Sequence, residues 1–190
     1  PDLRTQLLSQ KIKKIDKVLY SHMHADQTHG INDLRIFFIK NRKKIPIYCD
    51  LITKRYLLKN FRYCFRGTVA YPSILKINHL KKKNIFQDKS LKLNIKSVKV
   101  KHGNVDCNAF IVNNKCAYLS DVSTIYRKDY KYFKNLKYFV IDCLRYTRHP
   151  SHYNLEQVLE LTSLLRPHKT ILTNLHSDLD YSELKKLLPK

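Results

Sequence analysis

Between Leu19 and Gly30 the chain reads Leu-Tyr-Ser-His-Met-His-Ala-Asp-Gln-Thr-His-Gly. On an extended or turning loop, His22 and His24 at i and i+2 can aim two imidazoles at one point, and Asp26 can bring a carboxylate alongside. A helix would need i, i+4 spacing instead. Neutral imidazole together with carboxylate is a donor set for Zn²⁺, Mn²⁺ or Fe. A polar surface loop with several histidines would give the same string, so the decision rests on what else the chain supplies. Further polar residues recur at the ends of apolar segments. His102 closes the alternating run Leu91–Lys101, Asp121 follows Ala117–Leu119, and Asp142 follows Tyr138–Ile141. Asn174 and His176 follow Thr170–Thr173. Loops at strand ends are where sites assemble in α/β sheets. Each such residue alone is commonly a cap or a turn residue; together they point to one metal centre.

The elements that must position these residues follow from periodicity. Apolar spacing predicts a helix over Leu3–Ile12, a short strand Lys17–Tyr20, a polar loop, and a helix over Ile31–Ile39. Strand Pro46–Cys49 and helix Leu51–Asn60 come next. Leu91–Lys101 alternates with the two-residue period of a half-buried strand. Ala109–Val112 and Ala117–Leu119 read as a hairpin across Asn113-Asn114. A helix over Lys128–Phe133 precedes strand Tyr138–Ile141. Helix Leu155–Leu165 has Asn154 as its N-cap, and strand Thr170–Thr173 and helix Ser182–Leu188 end the chain. The Lys81–Lys83 run reads as a loop. Strands alternate with helices around one antiparallel section, which makes the class α/β, read as a single domain over residues 1–190.

The 190 residues carry 37 Lys+Arg against 15 Asp+Glu, a net charge of +22, and are 43% hydrophobic. That apolar fraction supports a core and argues against disorder. No apolar run approaches the roughly 20 residues that span a bilayer, and Pro1-Asp2-Leu3-Arg4 does not open a signal peptide. No membrane partner is expected. The five Cys are an odd number without a C-x-x-C pair, which fits a reducing cytoplasm better than a disulfide framework. The charge would bind nucleic acid without sequence specificity. However, 27 of the 37 cations are Lys spread along the chain, which reads as solvated surface.

These motifs, in this order, resemble the metallo-β-lactamase superfamily. Ser21-His22-Met23-His24-Ala25-Asp26 is similar to its first motif, His102 to its later single His, and Asp121 to its bridging carboxylate. Within the superfamily the chain looks most like the phosphoribosyl cyclic-phosphate phosphodiesterase branch. Asp26–Arg35, Asp142-Cys143-Leu144-Arg145-Tyr146, His149-Pro150-Ser151-His152 and Leu172–Tyr181 carry that likeness. The resemblance implies an αββα sandwich and a metal-dependent hydrolase, a phosphodiesterase acting on a small cyclic or nucleotide-like phosphodiester. An RNA-processing nuclease of the same superfamily, or a catalytically inactive remnant, are the alternatives. It implies His22, His24, His102 and Asp121 as ligands of the first metal position. Asp26 is assigned to the nucleophile and to a second ion, His152 to the leaving-group acid, and Arg145 and His149 to phosphate. His152 reads equally as a capping residue beside Asn154, and Arg145 as a partner of Asp142.

The departures from the family pattern carry their own expectation. Gln27 stands where the pattern has a His after the motif Asp, and Asn174 where it has a His after the last strand. Both missing imidazoles belong to the second metal position. Amide oxygens are poorer ligands than imidazole for zinc, so one tightly bound zinc or manganese ion is expected, with a weak second site. His176 or His29 could stand in as ligand. Family members also carry a β-hairpin section before the equivalent of Pro1–Arg4 and a strand after the last helix. Their absence here implies an incomplete fold of marginal stability, because it would expose sheet edges. A homodimer is compatible with this reading.

Overall fold

The computed structural model describes residues 2–80 and 92–188, and the backbone of 85–88. The Lys81–Lys83 run and the start of the expected strand at Leu91 lie outside the described residues. The chain divides into two compact units, residues 1–81 and 82–190.

The first unit is built on a three-stranded parallel sheet in the order β1 (Val18–Leu19), β2 (Ile45–Cys49), β3 (Leu75–His79). In β2 the residues Ile45, Ile47 and Cys49 are buried and alternate with half-buried ones. They form a core with Ile31, Leu34, Phe37, Leu57 and Ile74. Helix α1 (Leu3–Ser9) is shorter than expected, and the loop after β1 contains a four-residue helix, α2 (Ala25–Thr28). The helix expected over Ile31–Ile39 is composite: a 3₁₀ stretch, His29–Leu34, runs into α3 (Arg35–Asn41). Helix α4 (Leu51–Asn60) has the expected bounds. It starts at Asp50, whose Oδ1 accepts the Thr53 N–H at 2.8 Å, satisfying one of the free N–H groups of the first turn. A short α5 (Arg62–Phe65) and β3 were not expected. Parallel pairing to β2 (Ile47 opposite Ile77) stabilises β3, and that contact is invisible to local periodicity.

The second unit is a six-stranded mixed sheet, β4 (Ile85–Asp88), β5 (Leu93–His102), β6 (Val105–Val112), β7 (Cys116–Leu119), β8 (Tyr138–Asp142) and β9 (Lys169–Thr173), in that spatial order. β4 to β7 are antiparallel neighbours; β7, β8 and β9 run parallel. β6 begins at Val105, four residues before the expected Ala109, and pairs with β5 along its whole length from His102 opposite Val105. Asn113 and Asn114 both take positive φ (52° and 51°) in the turn that closes β6 on β7. The expected helix over Lys128–Phe133 is a 3₁₀ stretch, Arg127–Tyr132. Helix α6 (Leu155–Leu165) opens on a capping box: Asn154 accepts from the Gln157 N–H, and the Gln157 side chain accepts from the Asn154 N–H. Its buried face, Val158, Leu161 and Leu165, joins Phe133, Phe139, Ile141 and Leu119 in the core. Helix α7 (Tyr181–Leu187) ends the described elements.

Both units are α/β, as the sequence predicts. Among the described residues no helix is long and apolar enough to cross a membrane, and all five cysteines are free thiols.

Candidate metal centre

In the first unit β1 is only two residues, but the chain stays on β2 for one more step, with the Tyr20 N–H donating to the Tyr48 carbonyl at 2.9 Å. Past that point the backbone turns. His24 takes the N-cap position of α2, its carbonyl accepting the N–H groups of Gln27 and Thr28 and the Thr28 hydroxyl (2.9 Å). This fold-back sets the rings of His22 and His24 edge to face, 4.4 Å apart. His22 is buried and His24 half-buried. The Ser21 hydroxyl donates to Gln27 Oε1 (3.4 Å) and lies 3.1 Å from His22 Nδ1. Asp26 Oδ2 accepts from Gln27 Nε2 at 2.8 Å. Partial burial raises the Asp26 pKa. The Gln27 amide, its own backbone N–H and the nearby His22 and His24 more than offset this and hold the carboxyl below its usual value.

In the second unit the register does what spacing did in the first. Leu119 lies opposite Ile141, and Asp142 opposite Thr173, so residues at or just past the ends of β7, β8 and β9 lie along the same edge of three parallel strands. Those residues are Asp121, Asp142 and Asn174. His102 reaches the cluster from the tip of the β5–β6 hairpin. The turn after it needs Gly103: its φ is +57°, and a Cβ there would come within 2.9 Å of Ser151 Cβ. His102 Nδ1 lies 2.7 Å from the Ser151 carbonyl, an acceptor only. Nδ1 therefore carries the proton, and Nε2 presents a lone pair. His152 is held the same way by a carboxylate, its Nδ1 donating to Asp142 Oδ2 at 2.7 Å.

Asp142 is fully buried and accepts three N–H groups: His152 and the Val122 backbone (2.9 Å) on Oδ2, and Asn174 Nδ2 (3.1 Å) on Oδ1. Asn174 Nδ2 also donates to Asp121 Oδ1 at 3.1 Å. Ligand atoms of His102, Asp121 and His152 all lie within 4.8 Å of one another. The His102 imidazole, locked through Nδ1 onto an oxygen acceptor, and the buried Asp121 carboxylate are donors that suit a divalent transition metal, and His152 stands beside them with its Nδ1 3.8 Å from Asp121 Oδ1.

The remaining residues singled out in the sequence sit as follows. His149 Nδ1 accepts from the Ser151 N–H (3.2 Å), and its ring lies 5.1 Å from that of His152. Its pKa is lowered, first by desolvation and then by the positive charge of His152 and Arg145. The Arg145 guanidinium donates to the Thr147 and Arg148 carbonyls (3.3 and 2.9 Å) and so staples its own loop. Among the described residues it forms no ion pair with Asp142, whose place as partner is taken by His152. His176 is exposed and pairs with Asp178 at 3.0 Å. His29 Nε2 lies 3.1 Å from the Tyr56 hydroxyl. Sequence reasoning missed the Ser151 carbonyl as the partner that orients His102. They are 49 positions apart, and no local signal links a carbonyl to a ring across that separation.

Residues 1–174 match the model of a family described as the beta-lactamase superfamily domain. Among curated proteins the chain is similar to an octanoyltransferase of Porphyromonas gingivalis (strain ATCC BAA-308 / W83), 27% identical over 194 residues. The alignment covers 100% of this chain and 38% of that protein, so the chain spans well under half of this relative's length. Among solved structures it is similar to a diphosphatase from the PhnP family, with 26% identity and a TM-score of 0.88, covering 100% of this chain and 72% of that one. It is similar in fold to human tRNase Z, short form, at 16% identity and a TM-score of 0.71, covering 93% of this chain and 79% of that one.

Proposed function

The chain belongs to the beta-lactamase superfamily, and on that premise we propose that it is a metal-dependent phosphodiesterase that cleaves a small cyclic or nucleotide-like phosphodiester in the cytoplasm. The observation that carries this reading is the cluster of His102, Asp121 and His152, with His152 backed by the buried Asp142. Likeness to a diphosphatase supports phosphorus as the reacting centre. The free thiols support a reducing compartment.

In the first unit His22 and His24, and in the second His102 and Asp121, are the proposed metal ligands, with zinc or manganese as the proposed ion. A divalent ion held by such donors supplies Lewis acidity, lowering the pKa of water from 15.7 to about 7. The protein's own groups do the rest. The Ser151 carbonyl fixes the His102 tautomer and raises its basicity as a ligand. Asp26, held ionised by Gln27, orients the attacking water. His152 keeps Nδ1–H on Asp142, so a second proton, carried on Nε2, is the one delivered to the departing oxygen. The resulting neutral ring stays in place for the next cycle. His149, whose ring lies 5.1 Å from that of His152, is the proposed phosphate-binding residue. Arg145 reaches it only by releasing the loop carbonyls it now holds.

The competing reading, an RNA-processing nuclease, is favoured by the +22 charge, and the fold it shares with a tRNase Z is compatible with it. Hydrolysis of bis(p-nitrophenyl) phosphate and of a tRNA precursor, each with added Mn²⁺ or Zn²⁺, separates the two. Turnover of the small diester that drops more than about 100-fold in a His22→Ala, His24→Ala variant supports the phosphodiesterase. Cleavage of the precursor alone supports the nuclease, and turnover of neither substrate supports an inactive remnant.

A further inference from the structure

In the second unit the segment His149-Pro150-Ser151-His152 decides where the protons sit on two imidazoles, and it does so through a single residue, Ser151. Pro150 fixes its own φ and restricts the residue before it, so the segment begins as a stiff turn. His149 closes that turn: its Nδ1 accepts the Ser151 N–H at 3.2 Å and lies 3.1 Å from the Ser151 hydroxyl. A backbone N–H can only donate, so Nδ1 is unprotonated, the hydroxyl donates to it as well, and the ring proton of His149 sits on Nε2. The carbonyl of the same Ser151 lies 2.7 Å from His102 Nδ1 and, being an acceptor only, forces the opposite arrangement there, with the proton on Nδ1. The two residues approach so closely that a Cβ at position 103 would come within 2.9 Å of Ser151 Cβ, which glycine avoids.

We infer that His149 is a positioning residue for His102, acting through Ser151, and that it does so as a neutral imidazole with its proton on Nε2. This rests on the reading of His102 as a metal ligand. With both the N–H and the hydroxyl of Ser151 pinned on His149, residue 151 has little backbone freedom left, and its carbonyl stays on His102. Outer partners of this kind fix the orientation of a ligand imidazole and raise its basicity. The proton on His149 Nε2 is then the group that this residue offers to a phosphate oxygen, so its contact with substrate is a hydrogen bond from a neutral ring and not the attraction of a cation. One side chain thereby couples the substrate contact to the orientation of His102.

Long-range proton–nitrogen correlation spectra of the imidazoles in the metal-free chain, near neutral pH, report the tautomers directly. The proton is expected on Nε2 of His149 and on Nδ1 of His102, and a His149 ring protonated on Nδ1 overturns the inference whether or not the chain hydrolyses a diester. Zinc affinity, read by competition with a chromogenic chelator, tests the positioning role. His149→Ala should weaken it about 10-fold, and His149→Asn should restore it, because an asparagine side chain closes the same turn onto the backbone two residues on. An alanine variant that binds zinc as tightly as the native chain contradicts the role, and so does an asparagine variant no better than alanine. If the native chain binds no zinc, the metal-dependent reading falls, and the spectrum of His149→Ala decides the inference by itself. A mixture of tautomers at His102 supports it, and an unchanged Nδ1–H tautomer overturns it.

Discussion

In the first unit the candidate ligands come from one stretch of chain, Ser21 to Gln27, shaped by a turn and a four-residue helix. In the second His102 comes from the tip of one hairpin and Asp121 from the end of β7, while Asp142 and Asn174 at the ends of β8 and β9 hydrogen-bond the site, all brought together by sheet register. The first arrangement depends on local backbone geometry; the second depends on the whole sheet. Changes to the core should therefore damage the two sets of ligands differently. The strand-end cluster has no geometry of its own once the register is lost.

The largest effect tests that dependence. Phe139 is fully buried in β8 and packs against Phe133. Phe139→Ala should cost about 3–5 kcal/mol in urea unfolding. If metal content and the His102 environment, followed by NMR, survived in the folded fraction with β8 exchanging freely, the register argument would fail.

Next is Asp142→Asn. The carboxylate accepts three N–H groups, and a carboxamide has one oxygen, so an amide N–H must face another donor. A drop of about 10–100-fold in activity or metal affinity is expected, larger than for any non-ligand change in the Ser21–Gln27 loop. A smaller effect than that of Ser21→Ala would reverse the ranking.

A lesser change, Asn154→Ala, removes the capping box of α6 and a hydrogen bond to the Tyr146 carbonyl. About 1 kcal/mol of stability should be lost, seen as a lower thermal midpoint, with metal content unchanged.

The smallest effect concerns the surface. Lys101 pairs with Asp106 at 2.8 Å across the β5–β6 turn, and the hydrogen bond and charge of Asp106 raise the Lys101 pKa. A raised cation pKa stabilises the fold fully below the unfolded value, near 10.4, and that contribution is lost as pH rises through the folded value. Native chain and Asp106→Asn should therefore differ by a small constant amount in urea midpoint between pH 6 and about 9, and converge above that range. A difference that grew with rising pH would contradict the pairing.

The sequence was legible where the information is local. Helix α4 and helix α6 were expected with the bounds observed, because a cap and a stripe of apolar residues lie within a dozen positions. The alternating β5 and the asparagine turn after β6 were equally plain. β3 was not, since its stability comes from β2, roughly thirty residues earlier in the chain. Helix α2 is too short for any period to register. The same divide runs through the site. The i, i+2 histidines and the strand-end carboxylates could be named from spacing. The Asp142–His152 pair could not: Arg145 was the nearer cation in sequence, but the chain between residues 142 and 154 loops back and brings His152 to the buried carboxylate.

X-ray absorption at the zinc edge of the loaded protein tests the central claim most directly. Imidazole nitrogen and carboxylate oxygen ligands near 2.0–2.1 Å, lost in His102→Ala, are the expected result. A first shell of sulfur near 2.3 Å, drawn from the free cysteines, or an unchanged spectrum in His102→Ala, would contradict it.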